Sequence, residues 1–134
     1  MPRQSKPPNV ARAKRPTARQ QLGARGEQMA ADALIRAGYR IITPDARQAS
    51  GQIDIVAEEG DTIVFVEVKT RRSTSYGTPA EAITPAKQRH LIAAAQEYLA
   101  ARDWLDRAWR IDVVGILLTQ GPPQIEIIRH AVGE

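Results

Sequence analysis

The stretch Gly51–Thr70, GQIDIVAEEGDTIVFVEVKT, reads as a single β-hairpin with a few ionisable groups set into apolar strands. Ile53, Ile55, Ile63, Val64, Phe65, Val66 and Val68 are β-branched or aromatic, and Glu58-Glu59-Gly60-Asp61 interrupts them as a turn. A two-residue loop at Glu59-Gly60 sets Ala57 opposite Thr62, Val56 opposite Ile63, Asp54 opposite Phe65 and Gln52 opposite Glu67. Opposed residues share a face, as do residues two apart, so Gln52, Asp54, Glu67 and Lys69 fall on one side of the hairpin. Asp54 and Glu67 become diagonal neighbours about 7 Å apart, a spacing at which two carboxylates converge on one ion. Acids facing inward on apolar strands are costly unless they are paired or coordinate something. Lys69 as a structural partner of either acid and the three residues as a chemical site are both consistent with this pattern.

The 134 residues suffice for one domain with one modest core. No segment is long and apolar enough to span a membrane, and the start lacks the charged-then-apolar order of a secretory signal, so a cytoplasmic protein is expected. Cysteine is absent, which removes disulfides and thiolate metal sites. His90 and His130 lie far apart without a zinc-ligand spacing, so any metal must be held by oxygen. The net charge of +4 is unevenly spread. Residues 1–19 hold Arg3, Lys6, Arg12, Lys14, Arg15 and Arg19 and no acid, leaving 13 basic against 15 acidic residues in the remainder. With Pro2, Pro7, Pro8 and Pro16, residues 1–17 read as a disordered basic tail, either a phosphate-binding arm or a solubilising segment, ahead of a single domain over 18–134.

From Thr17 or Ala18 to Ala37 the residues Leu22, Gly26, Met29, Ala30, Ala33, Leu34 and Ala37 recur at helical spacing, and Gly38 ends the helix. Glu27 lies at the edge of that stripe, where it either flanks the helix in solvent or points to the sheet. Tyr39–Thr43 is a short strand broken by Pro44-Asp45 and resuming at Ala46 to Ser50. Arg71 to Thr84 is loop-like, and Arg71 and Arg72 leave the hairpin where Lys69 points, as phosphate contacts or as ordinary surface arginines. Thr84-Pro85 starts a second helix running to about Arg102. Lys87, Gln88 and Arg89 in its first turn oppose the helix dipole, which suggests an anion nearby. Strands follow at Trp109–Leu118 and Gln124–His130, around a turn at Gly121-Pro122-Pro123. The helical crossover to Trp109 makes its strand parallel to the second hairpin strand. The fold class is therefore α/β, an αβββαβ(β) order with helices flanking a mixed sheet, and Asp112 is expected to pair with Arg110 or a loop cation, with a place in the site as the other option.

Asp54 followed by Glu67-Val68-Lys69 resembles the PD-(D/E)XK signature of restriction-endonuclease-like nucleases. Further matches are Gly26-Glu27, Gly38-Tyr39, Gly51-Gln52-Ile53-Asp54, Phe65 to Arg71, Gly77, Lys87 and Arg110 to Val114. Together, from roughly Gln20 onward, these resemble the YraN family of small bacterial proteins with a nuclease-like fold. The resemblance implies a restriction-endonuclease-like core and hydrolysis of phosphodiester bonds. It implies Mg²⁺ or Mn²⁺ held by Asp54, Glu67 and the Val68 backbone carbonyl, with Glu27 contributing from the helix. Lys69 would orient or deprotonate the attacking water. Nucleic acid, most simply DNA, is the implied partner, with Arg71, Arg72, Lys87 and Arg89 touching it. Gln52 stands where the resembled family usually has glutamate, which withholds a charge from the site. Aromatics make up 4% of the chain, so stacking on single strands is poorly supported and duplex or branched DNA fits better. Two other readings stand beside this one. The first is a nucleic-acid-binding module without turnover; the second is a protein-interaction domain using an edge strand with Trp104 and Trp109 as anchors. The oligomeric state is open, a dimer included.

Overall fold

The computed structural model describes residues 15–73 and 77–132. Most of the expected basic tail therefore lies outside the described residues. Helix α1 spans Ala18–Arg36, opened by a capping box in which the Thr17 hydroxyl accepts from the Gln20 N–H and the Gln20 amide oxygen accepts from the Thr17 N–H. Strands β1 (Arg40–Gln48), β2 (Gly51–Glu59) and β3 (Thr62–Arg71) follow, then a 3-10 turn at Ala80–Ala82, helix α2 (Pro85–Ala101), and strands β4 (Trp109–Leu117) and β5 (Gln124–Val132). Thr84 caps α2 by accepting the Lys87 N–H, with proline at the first helical position.

The sheet order is β1-β2-β3-β4-β5, antiparallel except for the parallel β3–β4 pair joined through α2. The helices cover opposite faces. Ala30 and Leu34 of α1 pack with Ile55, Ala57, Val64, Val66, Val114 and Ile116. Leu91, Ala94, Ala95, Tyr98 and Leu99 of α2 pack with Val56, Ile63, Phe65, Ile111 and Val113. The run Ile63-Val64-Phe65-Val66 is continuous rather than alternating because β3 is buried on both faces. This is the α/β core with an αβββαββ element order. No helix among the described residues is long and apolar enough to cross a membrane.

Three local expectations are corrected. Pro44 does not break β1, because β1 is an edge strand whose only ladder is with β2 and which can lack an outward N–H. The hairpin loop is Gly60-Asp61, with Gly60 at φ +59, so the register moves by two: Ala57 faces Val64, Val56 faces Phe65 and Glu59 faces Thr62. Finally, Trp104 and Trp109 are not free anchors. Trp109 meets Phe65 edge-on at 5.8 Å and Trp104 lies against Tyr98 at 6.4 Å, both as part of the α2 layer.

A candidate metal and phosphate site at the open end of the hairpin

The β2–β3 ladder ends at the rung Ile55/Val66, and one more step in the same register brings Asp54 opposite Glu67. Here β2 departs from strict alternation. Ile53 and Val56 both pack in the α2 layer although three positions separate them, and Ile55 between them packs in the α1 layer. Across β1 the corresponding residue is Asp45, lying between the rungs Pro44/Ile55 and Ala46/Ile53 with a left-handed φ of +52. The distortion turns the Asp54 carboxylate toward β3, where its Oδ2 accepts the Val68 N–H at 2.8 Å. In an extended residue the N–H and C=O project to the same side, so the Val68 carbonyl oxygen is directed at the same gap.

Glu67 is 4% exposed and its Oε2 has no hydrogen-bond partner among the described residues. Two ammonium groups flank it beyond hydrogen-bonding distance: Lys69 Nζ at 3.7 Å from Oε1 and Lys87 Nζ at 3.8 Å from Oε2. Burial, reinforced by the Asp54 charge and opposed by the two lysines, pushes the Glu67 carboxyl up to about 7. Asp54 is also raised, chiefly by burial, against the lowering effect of the Val68 bond and both lysines. A carboxylate buried with an unsatisfied oxygen beside a second raised carboxyl is an arrangement that favours a cation.

Glu27 reaches this site because α1 crosses β3 unusually closely. A Cβ on Gly26 would overlap Thr70 Oγ1, so only glycine permits the approach. The Glu27 carboxyl is half-buried and raised by burial and then by Asp54 and Asp45, and it shares a cavity of about 180 Å³ with Asp54, Ile41 and Pro44. Among the described residues no group of three Asp, Glu or His side chains is arranged to hold a metal. An ion here would be held by Asp54, Glu67 and the Val68 carbonyl and would complete its shell with water, a set that suits Mg²⁺ or Mn²⁺.

Gln52 is not opposite Glu67 as expected. The shifted β2–β3 register brings Asp54 there instead; Gln52 lies past the last β2–β3 rung, pairs with Arg47 in the separate β1–β2 ladder, and its amide donates to Asp45 Oδ1 on an exposed edge. Its identity therefore acts on Asp45 rather than on the site directly. Arg71 is tied into the following loop by bonds to the carbonyls of Gly77 and Thr78. Arg72 and Arg89 are exposed, as is His90, in keeping with the surface position expected of it. Sequence reasoning missed two residues. Asp45 adds its charge beside Glu27 and Asp54 from a β1 that continues through Pro44, and its signal was the Pro44-Asp45 dipeptide, which reads as a strand break. Arg25 lines a cavity of about 420 Å³ with Arg72, Thr119, Gln120 and Gly121, and neither guanidinium is paired with a carboxylate among the described residues.

Asp112 stands apart from this site, on the α1 side of β4. It is fully buried and accepts from Tyr39 Oη at 2.8 Å, Arg110 Nε at 2.9 Å and the His130 N–H at 2.8 Å. Arg110 and Arg129 both bind Glu59, closing a network at the turn end of the hairpin. The expected Asp112–Arg110 pairing is present.

The model of the family described as "Uncharacterised protein family UPF0102" matches residues 26–116, a span that includes Glu27, Asp54, Glu67, Lys69 and Lys87. The chain belongs to UPF0102. This is the YraN family of the sequence resemblance. A UPF0102 protein of Dehalococcoides mccartyi is 42% identical over 116 residues, covering 87% of this chain and 96% of the relative. A UPF0102 protein of Rhodococcus opacus is 50% identical, covering 82% and 94%, and one of Geobacter sulfurreducens is 49% identical, covering 82% and 87%. Among solved structures, Pyrococcus furiosus SfsA in complex with Ca²⁺ matches the UPF0102 chain at a TM-score of 0.38 and 15% identity, over 83% of this chain and 62% of that one.

Proposed function

We propose that this UPF0102 chain is a divalent-metal-dependent phosphodiesterase acting on duplex or branched DNA, working in the cytoplasm. The observation that carries the reading is Glu67 Oε2, buried without a hydrogen bond beside Asp54 and between two lysines. Phosphodiester hydrolysis needs an in-line water, relief of charge on the phosphoryl oxygens and support for the leaving alkoxide; a bound Mg²⁺ or Mn²⁺ supplies most of this charge relief. The protein's own groups supply the rest. Asp54 and Glu67 fix the ion's place at the end of the β2–β3 ladder, and the Val68 N–H locks the Asp54 carboxylate in one orientation. Lys69, held near Glu67 on the next residue but one of β3, positions the attacking water and opposes charge on the phosphate. Glu27 sits within electrostatic reach of Asp54 and would add negative charge toward a bound ion from α1. Arg72 and Arg89 are exposed cations suited to flanking phosphates.

The experiment is metal-dependent cleavage of a panel of duplex, branched and single-stranded DNA, with Glu67→Ala as the control. Nicking that requires Mg²⁺ or Mn²⁺ and disappears in Glu67→Ala supports the proposal; no cleavage with either metal, together with no calorimetric binding of the ion, rejects it. One observation favours a second reading. The two lysines flanking Glu67, which also act electrostatically on Asp54, can hold the acids permanently, as in a nucleic-acid-binding module without turnover. In that case both acids are structural and their removal destabilises the fold.

A further inference from the structure

Lys87 reaches Glu67 from a different layer than Lys69. It belongs to the first turn of α2, with its backbone N–H held by the Thr84 hydroxyl, and its ammonium stands 3.8 Å from Oε2, the Glu67 oxygen that is wholly buried without a hydrogen bond. That first turn contains no acid, and a cation there opposes the helix dipole, so the position gains from an anion close by. Glu67 is the anion in the present state. The pairing is loose, however: it is too long for a hydrogen bond, and the Lys87 side chain is 39% exposed, which leaves its four-carbon stem free to swing. A buried carboxylate oxygen without a hydrogen bond is also an atom that a metal can take in place of the ammonium.

We infer that Lys87 and the metal compete for Glu67: the ammonium pairs with Oε2 in the metal-free protein and is released to a substrate phosphate oxygen when an ion binds. This rests on the site reading above. Lys87 thereby becomes a second active-site lysine that is recruited by metal loading, and the flanking-phosphate role expected from the sequence is replaced by one at the reacting phosphate. The number of ligands agrees. Among the described residues no three acidic or histidine side chains form a metal-holding group, so a single ion on Asp54 and Glu67, with Glu27 further off, would leave charge on the phosphoryl oxygens for a mobile ammonium from α2 to offset.

The consequence has opposite signs in two binding measurements. Removing the Lys87 charge takes away a competitor, so the free protein should bind the ion more tightly. A unit charge about 6 Å from a divalent ion, largely screened by water, amounts to roughly a factor of ten. The same change should weaken metal-dependent DNA binding, because the released cation is missing. The test uses the full chain and Lys87→Met, titrated with MnCl₂ by calorimetry without DNA, then with a labelled short duplex in Ca²⁺ by fluorescence anisotropy. Roughly tenfold tighter Mn²⁺ binding combined with weaker duplex binding, and restoration of both by Lys87→Arg, supports the inference. Equal or weaker Mn²⁺ binding in Lys87→Met, with the wild type binding normally, overturns it while leaving the site reading intact. Absence of Mn²⁺ binding in the wild type overturns both.

Discussion

Replacing Glu67 by glutamine keeps the shape of the side chain and removes its charge. In the folded protein the carboxyl stands near 7 against an ordinary 4.5, with burial as the main cause and Asp54 second. At acid pH below about 4.5 the group is protonated in both the folded and unfolded chain and contributes no pH dependence. As the pH rises from 4.5 through 7 the unfolded chain has released its proton while the folded one retains it, so stability is lost across this window. Once the folded carboxyl is ionised, the accumulated loss is about 3 kcal/mol. A glutamine escapes it, at the expense of a buried amide whose N–H groups need partners, for a net gain of about 2 kcal/mol at pH 8. For a chain of this size that is a melting temperature about 8 °C higher. The assay is thermal unfolding of wild type and Glu67→Gln at pH 4 to 8.5, with and without millimolar Mg²⁺. The expected result is a variant slightly less stable than wild type in acid, where only the amide cost remains, curves that cross at about pH 5 and a gap that widens up to about pH 7, with Mg²⁺ raising the wild type alone. A variant that is less stable than wild type at pH 8 would refute the reasoning, because it would mean that Lys69 and Lys87 stabilise the ionised acid by more than burial costs it.

Gly26→Ala should lower stability by about 1–3 kcal/mol in urea unfolding, since its Cβ would overlap Thr70 Oγ1, and Thr70→Ala in the same chain should recover most of the stability. Asp112→Ala takes from the Arg110 guanidinium one acid partner, with Glu59 remaining, and leaves the buried Tyr39 hydroxyl and the His130 N–H without their acceptor, so chemical denaturation should show a decrease of about 2–4 kcal/mol, with the metal response of the remaining folded protein unchanged. Replacing both Arg25 and Arg72 by alanine should flatten the salt dependence of duplex binding by about 0.9 log unit for each phosphate no longer neutralised, while metal binding measured by calorimetry stays the same.

The helices were legible because their signals are local: Thr17 with Gln20, and Thr84 with Pro85, cap within a single turn. The shared face of Glu67 and Lys69 was legible because it depends only on the period of two along β3. The register was not. Glu58 and Glu59 look like turn residues in isolation, yet they continue the strand opposite Ile63 and Thr62 because distant arginines neutralise them: Arg40 and Arg107 at Glu58, Arg110 and Arg129 at Glu59. Those partners lie up to 70 residues away in the chain. The strand through Pro44 was misread for a similar reason, since whether proline is tolerated depends on the strand's place at the sheet edge. The place of Lys87 in a helix's first turn called for a nearby anion, but the pair bridges the helix layer and the sheet, so no local pattern identifies Glu67 as that anion.

The spatial order of the strands is their order in the chain, with one long connection, the crossover through α2. Short-range contacts form fastest, so α1 and the β1–β2–β3 meander can assemble as one unit before β4 and β5 join. Glu27, Asp54, Glu67 and Lys69 all belong to that first unit, and Lys87 to the second. If that unit forms first, the acidic pair is brought together before its second counter-charge arrives, and docking of α2 brings the missing positive charge along with its apolar face. A chain divided within the loop between Arg72 and Thr84 would place the two carboxylates on one fragment and Lys87 on the other, making recovery of the site a direct report of that docking step.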